Sequence, residues 1–206
     1  MNRINLDFLT DLEERIKRCN MCSLSGHGYA TERVHVGKGK RVLIIGEAPG
    51  RNEEIKKRPF VGQSGKLLDE WIEYMHLDNY VITNAVKHRP SEYGSYGNIP
   101  PQPINIDRCK SILDSEIFFY KPDLILLIGK VAVLSLIDIE GINNESMGML
   151  IKRFIDGENP KSYHGIRTVI IYHPSYILRT HNDVRWILDE IRDHIDEETC
   201  NRTGVI

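Results

Sequence analysis

Four short apolar runs punctuate the chain: Val42-Leu-Ile-Ile45, Tyr80-Val-Ile82, Leu124-Ile-Leu-Leu-Ile128 and Thr168-Val-Ile-Ile171. Each is too short for a helix, rich in β-branched residues and closed by a polar or Gly-containing turn. They predict strands over residues 41–46, 80–86, 124–129 and 168–172. The runs are continuous and do not alternate, which is the pattern of strands buried on both faces. Between them the period changes to that of a helix. Residues 5–18 carry Leu9, Leu12 and Ile16 on one face, and residues 64–75 carry Leu67, Leu68, Trp71, Ile72 and Met75, with Ser64 as the predicted N-cap. Further helices are predicted over 107–120, 131–137 and 182–196. Strands alternating with helices make this an α/β chain with a parallel sheet covered on both faces. Residues 23–40, 47–63 and 89–106 read as loops, and 200–206 as a tail. Residues 138–166 give no clear period. The loop 89–106 is too long to be a plain connection, and its length marks it as functional or mobile.

In such folds ligands bind at the carboxyl ends of the strands. Here those ends carry unusual residues: Glu47, Asn84, Gly129-Lys130 and His173. A carboxylate, an amide and an imidazole at one rim can serve general base, hydrogen-bond recognition and oxyanion stabilisation respectively. Composition narrows the class but does not choose it. At 206 residues, 41% hydrophobic and 27% charged, the chain predicts one globular domain spanning 1–206. The net charge of −2 gives no global case for nucleic acid. Basic residues do cluster locally, at 38–41, at 51–58 and at Lys87, His88 and Arg89, so a phosphate-facing patch remains open. No export signal or apolar stretch of spanning length is visible, and the expectation is a cytoplasmic or nucleoid-associated monomer, neither secreted nor membrane-bound. The cysteines, Cys19, Cys22, Cys109 and Cys200, are then expected reduced, in a metal site or buried.

Four motifs in order carry a resemblance: Gly46-Glu-Ala-Pro-Gly-Arg-Asn-Glu53, Arg58-Pro-Phe-Val-Gly62, Tyr80-Val-Ile-Thr-Asn-Ala-Val-Lys87 and His173-Pro-Ser-Tyr-Ile-Leu-Arg179. Together with Cys19-x2-Cys22 they resemble the family 4, iron–sulfur, uracil-DNA glycosylases over roughly residues 10–195. The resemblance implies a three-layer α/β/α sandwich around a four-stranded parallel sheet. It also implies hydrolysis of the N-glycosidic bond of uracil flipped out of DNA. On that reading Phe60 stacks on the base, Asn84 binds its Watson–Crick edge beside Ala48, and His173 donates to O2 as charge develops. Glu47 stabilises the sugar cation and holds the attacking water, with Glu53 walling the pocket or assisting. The segment after His173 presses into the duplex through Tyr176, Leu178 and Arg179, with Ser175 on a phosphate.

The resemblance further implies a four-iron, four-sulfur cluster on four ligands. Cys19, Cys22 and Cys109 match three, and His88 stands where the fourth cysteine belongs. Three alternatives stay open: His88 as ligand, Cys200 reaching in from the tail, or zinc held as Cys3His. A covalently trapping branch of the superfamily also shares Asn84-Ala-Val-Lys-His88. Its downstream histidine has no counterpart in residues 90–108, so turnover is expected. The competing functions are a glycosylase for another modified base and a non-catalytic DNA-binding module. A nucleotide-binding domain is disfavoured, since Gly46-x3-Gly50 lacks a phosphate-loop lysine.

Overall fold

The computed structural model describes residues 6–91, 97–137, 144–155 and 162–202, with side chains omitted at 6, 154, 155, 194 and 196–202. Along the chain run α1 (Leu6–Lys17), β1 (Arg33–His35), β2 (Val42–Gly46), α2 (Arg51–Lys56), α3 (Gln63–Tyr74) and β3 (Tyr80–Asn84). Next come α4 (Pro103–Tyr120), β4 (Leu124–Ile128), α5 (Lys130–Leu136) and α6 (Met147–Ile155). The chain closes with β5 (Ser162–Tyr163), β6 (Ile166–Ile171), α7 (Pro174–Thr180) and α8 (Arg185–Arg202).

The sheet has six strands, in the order β1-β3-β2-β4-β6-β5. The four predicted strands form its parallel centre, with Val42 opposite both Tyr80 and Leu124, and Leu124 opposite Arg167. The expected four-stranded sheet is therefore corrected to six. β1 and β5 add antiparallel at the two edges. They are three and two residues long and partly polar, too short for any periodicity to register. Every residue of β2 and of β4 is buried. Because successive side chains point to opposite faces, both faces of the central sheet are covered. The main core joins these strands to Leu68, Trp71 and Ile72 of α3, Leu113 and Ile117 of α4, and Ile187, Leu188 and Ile191 of α8. Leu12 and Ile16 of α1 form a satellite with Ile112, and Phe8 stacks on Phe119 with ring centroids 3.6 Å apart. Helix α1 is thereby fixed to α4.

Several boundaries differ from expectation. Gly62, not Ser64, caps α3. The predicted loop 47–63 contains α2, and 89–106 yields its last residues to α4, which starts at Pro103 with Gln102 and Asn105 in a reciprocal capping box. Proline fits the first helical turn, where its missing N–H costs nothing. The segment after His173 is helix α7, and α8 runs to Arg202 through residues expected as tail. Among the described residues no helix is long and apolar enough to cross a membrane.

Candidate functional site

The chain order turns at β2. β3 lies to one side of it, and β4 and β6 lie to the other. A crevice opens beyond the carboxyl ends at such a switch point. It holds a cavity of about 320 Å³, whose walls include Glu47, Ala48, Glu53, Phe60, Asn84, His173 and Ser175. Residues far apart in sequence meet here because each closes or follows a strand of one parallel sheet.

Asn84 ends β3 directly opposite Gly46 and is buried. Its side-chain amide has no hydrogen-bond partner among the described residues. The glycine is required: a Cβ at position 46 would lie 2.5 Å from the Phe60 ring and 2.6 Å from the Asn84 amide oxygen. Phe60 holds a left-handed backbone, φ 52°, unusual for an aromatic residue and a mark of a constrained site. Its ring lies against the His173 ring, centroids 5.8 Å apart and planes 28° apart.

The His173 side chain is oriented from one side. Its Nδ1 accepts the backbone N–H of Ser175 at 3.1 Å and lies 2.8 Å from the Ser175 hydroxyl. In the neutral ring the proton then sits on Nε2. Burial, helped by the positive charge of Arg179, holds the imidazole pKa down to about 4, so the ring is neutral at physiological pH. Gly129, at φ 83° after β4, leaves room for the His173 Cβ, which lies 3.0 Å from where its own Cβ would stand.

Glu47 follows β2 on the turn Glu47-Ala-Pro-Gly50. Its carboxylate makes no hydrogen bond or ion pair among the described residues, and burial raises its pKa. Glu53 is differently employed. Its Oε1 accepts the N–H groups of Val61 (2.9 Å) and Gly62 (3.2 Å), tying α2 to the start of α3 and fixing the Phe60 loop. On α7, Tyr176 and Leu178 are exposed while Ile177 is buried, and Arg179 is exposed beside them. Ser175 lines the cavity and touches His173.

The basic group Lys87, His88 and Arg89 is no surface patch. All three are buried, a correction to the phosphate-facing reading. Lys87 pairs with Glu116. Arg89 donates to Asn98 Oδ1 (2.9 Å), the Gly97 carbonyl (2.9 Å) and Glu54 (3.3 Å). These bonds hold a further wall of the cavity, made by Pro90, Asn98 and Ile99. The length of the loop 89–106 is the sequence signal for this wall, but a segment without hydrophobic period leaves no sign of which of its side chains turn inward.

Around Cys109, burial pushes the thiol pKa up. The Lys87 backbone N–H opposes this, and the neighbouring Cys22 and Cys19 add to it. Cys22 and Cys109 share a small apolar cluster with Leu24, Val86 and Ile106. Burial lowers the pKa of His88, as does nearby His27, against a hydrogen bond to the Ile16 backbone. A neutral imidazole with one nitrogen on a backbone carbonyl is the usual state of a metal-binding histidine, and three thiols with one imidazole suit iron or zinc. Among the described residues no three His, Cys, Asp or Glu side chains close on a single metal ion. Cys200 lies where side chains are not described.

The chain is similar to known proteins over most of its length. A family model described as the Uracil DNA glycosylase superfamily matches residues 35–195. A Type-4 uracil-DNA glycosylase of Pyrobaculum aerophilum is 32% identical over 182 residues, covering 83% of this chain and 85% of its own. One of Thermotoga maritima is 32% identical over 186 residues, 87% and 88% of the two chains. One of Archaeoglobus fulgidus is 29% identical over 177 residues, 84% of each.

Proposed function

Because this chain belongs to the uracil DNA glycosylase superfamily, we propose that its cavity hydrolyses the N-glycosidic bond of uracil flipped out of DNA and leaves an abasic site. The carrying observation is that the Glu47 carboxylate, the Asn84 amide and the second ring nitrogen of His173 have no protein partner among the described residues, yet all three residues line one cavity. Asn84 is buried and Glu47 and His173 are half-buried; polar groups so placed are normally paired, and an unpaired set in one cavity is set for substrate.

Phe60 stacks on the flipped base beside Ala48. The Asn84 amide accepts from N3–H and donates to O4. As the C1′–N1 bond breaks, the electron pair moves onto the base, and His173 Nε2–H donates to O2 where that charge gathers. The sugar becomes oxocarbenium-like, as in other glycoside cleavage. Glu47 stabilises it and takes a proton from the water that adds at C1′; its raised pKa makes it a better base. Among the described residues no lysine lines the cavity. Lys87 is committed to Glu116, and Lys130 donates to the Glu145 carbonyl at 2.8 Å. Hydrolysis without strand cleavage follows. Tyr176, Leu178 and Arg179 on α7 face the duplex, with Ser175 near a phosphate. The molecule is a monomeric cytoplasmic enzyme, one domain over 1–206, built as an α/β/α sandwich.

The second part of the proposal is the metal. Cys19, Cys22, Cys109 and His88 would hold a four-iron cluster, which would supply redox-active iron between the end of α1 and α4. The purified protein is then brown, His88→Ala loses iron and His88→Cys keeps it. Colourless protein with one zinc per chain would replace iron with zinc.

Uracil-containing oligonucleotides, single-stranded and paired with G or A, test the activity after alkali treatment. Alkali-labile sites at uracil are expected, and their absence from all three ends the uracil reading. The wall of Pro90, Asn98 and Ile99 bears on base choice, so a panel of other modified bases belongs in the same assay.

A further inference from the structure

Behind Asn84 the molecule buries an ion pair that the reaction does not use. Lys87 and Glu116 are both fully buried, with Nζ 2.6 Å from Oε2. Lys87 Nζ also donates to Thr83 Oγ1 at 2.7 Å and to the main-chain carbonyl of Asn84 at 2.8 Å. Thr83 in turn donates to Glu116 Oε1 at 3.0 Å. The three ammonium protons are thus spent within one closed set. Such a pair is a poor source of stability, because the cost of desolvating two charges consumes most of their attraction. Apolar residues of similar volume commonly serve as well. Its use must be sought in what it holds.

It holds the peptide unit joining Asn84 to Ala85. That unit has two polar groups. The Ala85 N–H donates to the Gly46 carbonyl at 2.9 Å, and the Asn84 carbonyl accepts from Lys87. The next amide, Val86 N–H, donates to the carbonyl of Glu47 at 3.0 Å. The plane of the peptide is therefore pinned from both edges, beside the residue that bears the catalytic carboxylate. The Asn84 amide itself has no protein partner among the described residues, so its aim depends on the main chain that carries it.

We infer that Lys87 and Glu116 are positioning residues, which fix the plane of the Asn84–Ala85 peptide and thereby aim the Asn84 amide at the flipped base. The inference rests on the uracil reading, and Glu116 acts on the base pocket from α4 without touching substrate. Thr83 completes the set by orienting both charged groups.

Removing one charge strands the other in the core, so single apolar variants unfold whether or not the pair has a positioning role. The test therefore uses Thr83→Val, Lys87→Met and Glu116→Leu together, which removes the three polar side chains of the set at once. The expected result is a melting temperature within a few degrees of the parent, unchanged affinity for abasic DNA, and a single-turnover rate of uracil release lower by roughly tenfold to a hundredfold, the scale of a small misplacement. A folded triple variant that releases uracil within about twofold of the parent overturns the inference. A second variant covers the case in which the triple variant does not fold. Lys87→Met combined with Glu116→Gln strands no charge and removes the donor on the Asn84 carbonyl while Thr83 stays in place. Its rate per folded molecule should fall by the same order, and a rate within about twofold of the parent overturns the inference. An inactive parent would instead sink the uracil reading, and so the two failures are distinct.

Discussion

On the proposed mechanism His173 acts as a neutral ring, and its surroundings say over what range. Its pKa in the folded chain is about 4, against about 6.5 for a free imidazole. Acid that protonates Nδ1 breaks its bond from the Ser175 N–H, so the His173-dependent limb of the rate profile falls near pH 4. The sign for stability is the same. Between pH 6.5 and 4 the unfolded chain binds a proton that the native ring refuses, so this residue makes stability fall as pH falls through that window. NMR titration of the ring checks both statements, and a midpoint near 6.5 would contradict them. Replacing His173 with Ala removes a donor to the developing oxyanion and lowers kcat by roughly 10²–10³. Gly46→Ala is the complementary case. Its new methyl meets both Phe60 and Asn84. The expected cost is about 1–3 kcal/mol of stability from overpacking, measured by denaturant unfolding, with loss of uracil release. At this scale the sequence was informative where chemistry stood at a strand end, as with Glu47, Asn84 and His173. It misplaced Lys87 and Arg89 at the surface, because a cation in a polar stretch is ordinarily solvated and nothing local announces a buried partner such as Glu116, 29 residues away.

Among elements, the four central strands were legible because unbroken apolar runs have few other uses. α2 and α7 were not, being six and seven residues long within segments rich in Pro, Gly and charge. Their formation depends on partners beyond the segment. His173 caps α7 with its own ring, and Pro174 opens the helix. Glu53, on α2, accepts the N–H groups of Val61 and Gly62 just before α3. Glu53→Ala should therefore cost about 1–3 kcal/mol, the worth of N–H bonds to a charged acceptor, and loosen Phe60. Thermal unfolding with a base-release assay measures both effects. An unchanged melting temperature would show that these two bonds are dispensable. On α7, Leu178 stands 43% exposed next to buried Ile177, the arrangement of a wedge. Leu178→Ala should slow release from duplex uracil by about tenfold while sparing single-stranded substrate, since only the duplex has a stack to fill. Equal losses on both would remove the wedge assignment.

For the whole molecule, a net charge of −2 hides a division of labour. Two cations counted toward a DNA-facing patch, Lys87 and Arg89, are spent inside on Glu116, Asn84, Glu54 and the Asn98 wall. Arg51, Lys56 and Arg58 remain at the surface on the segment between Gly50 and Phe60, both of which line the cavity. The backbone of DNA is expected to run there. Replacing Lys56 and Arg58 with Ala should weaken affinity for abasic DNA and reduce the slope of log affinity against log salt by about 1 for each phosphate no longer neutralised. A slope equal to the parent's would place the DNA elsewhere. Sequence pattern alone cannot sort these cations, because the partition depends on how loops cross the rim of the sheet.

The clipped margins of the sheet have an outcome of their own. A parallel core with long bare borders would offer hydrogen-bonding groups to any neighbouring polypeptide. Here those borders are occupied by strands of three and two residues running the opposite way, with Arg33 and His35 on one of them. So little template remains that recruitment of another β-segment is discouraged. Molecules at high local concentration can therefore crowd together without knitting their sheets into aggregates.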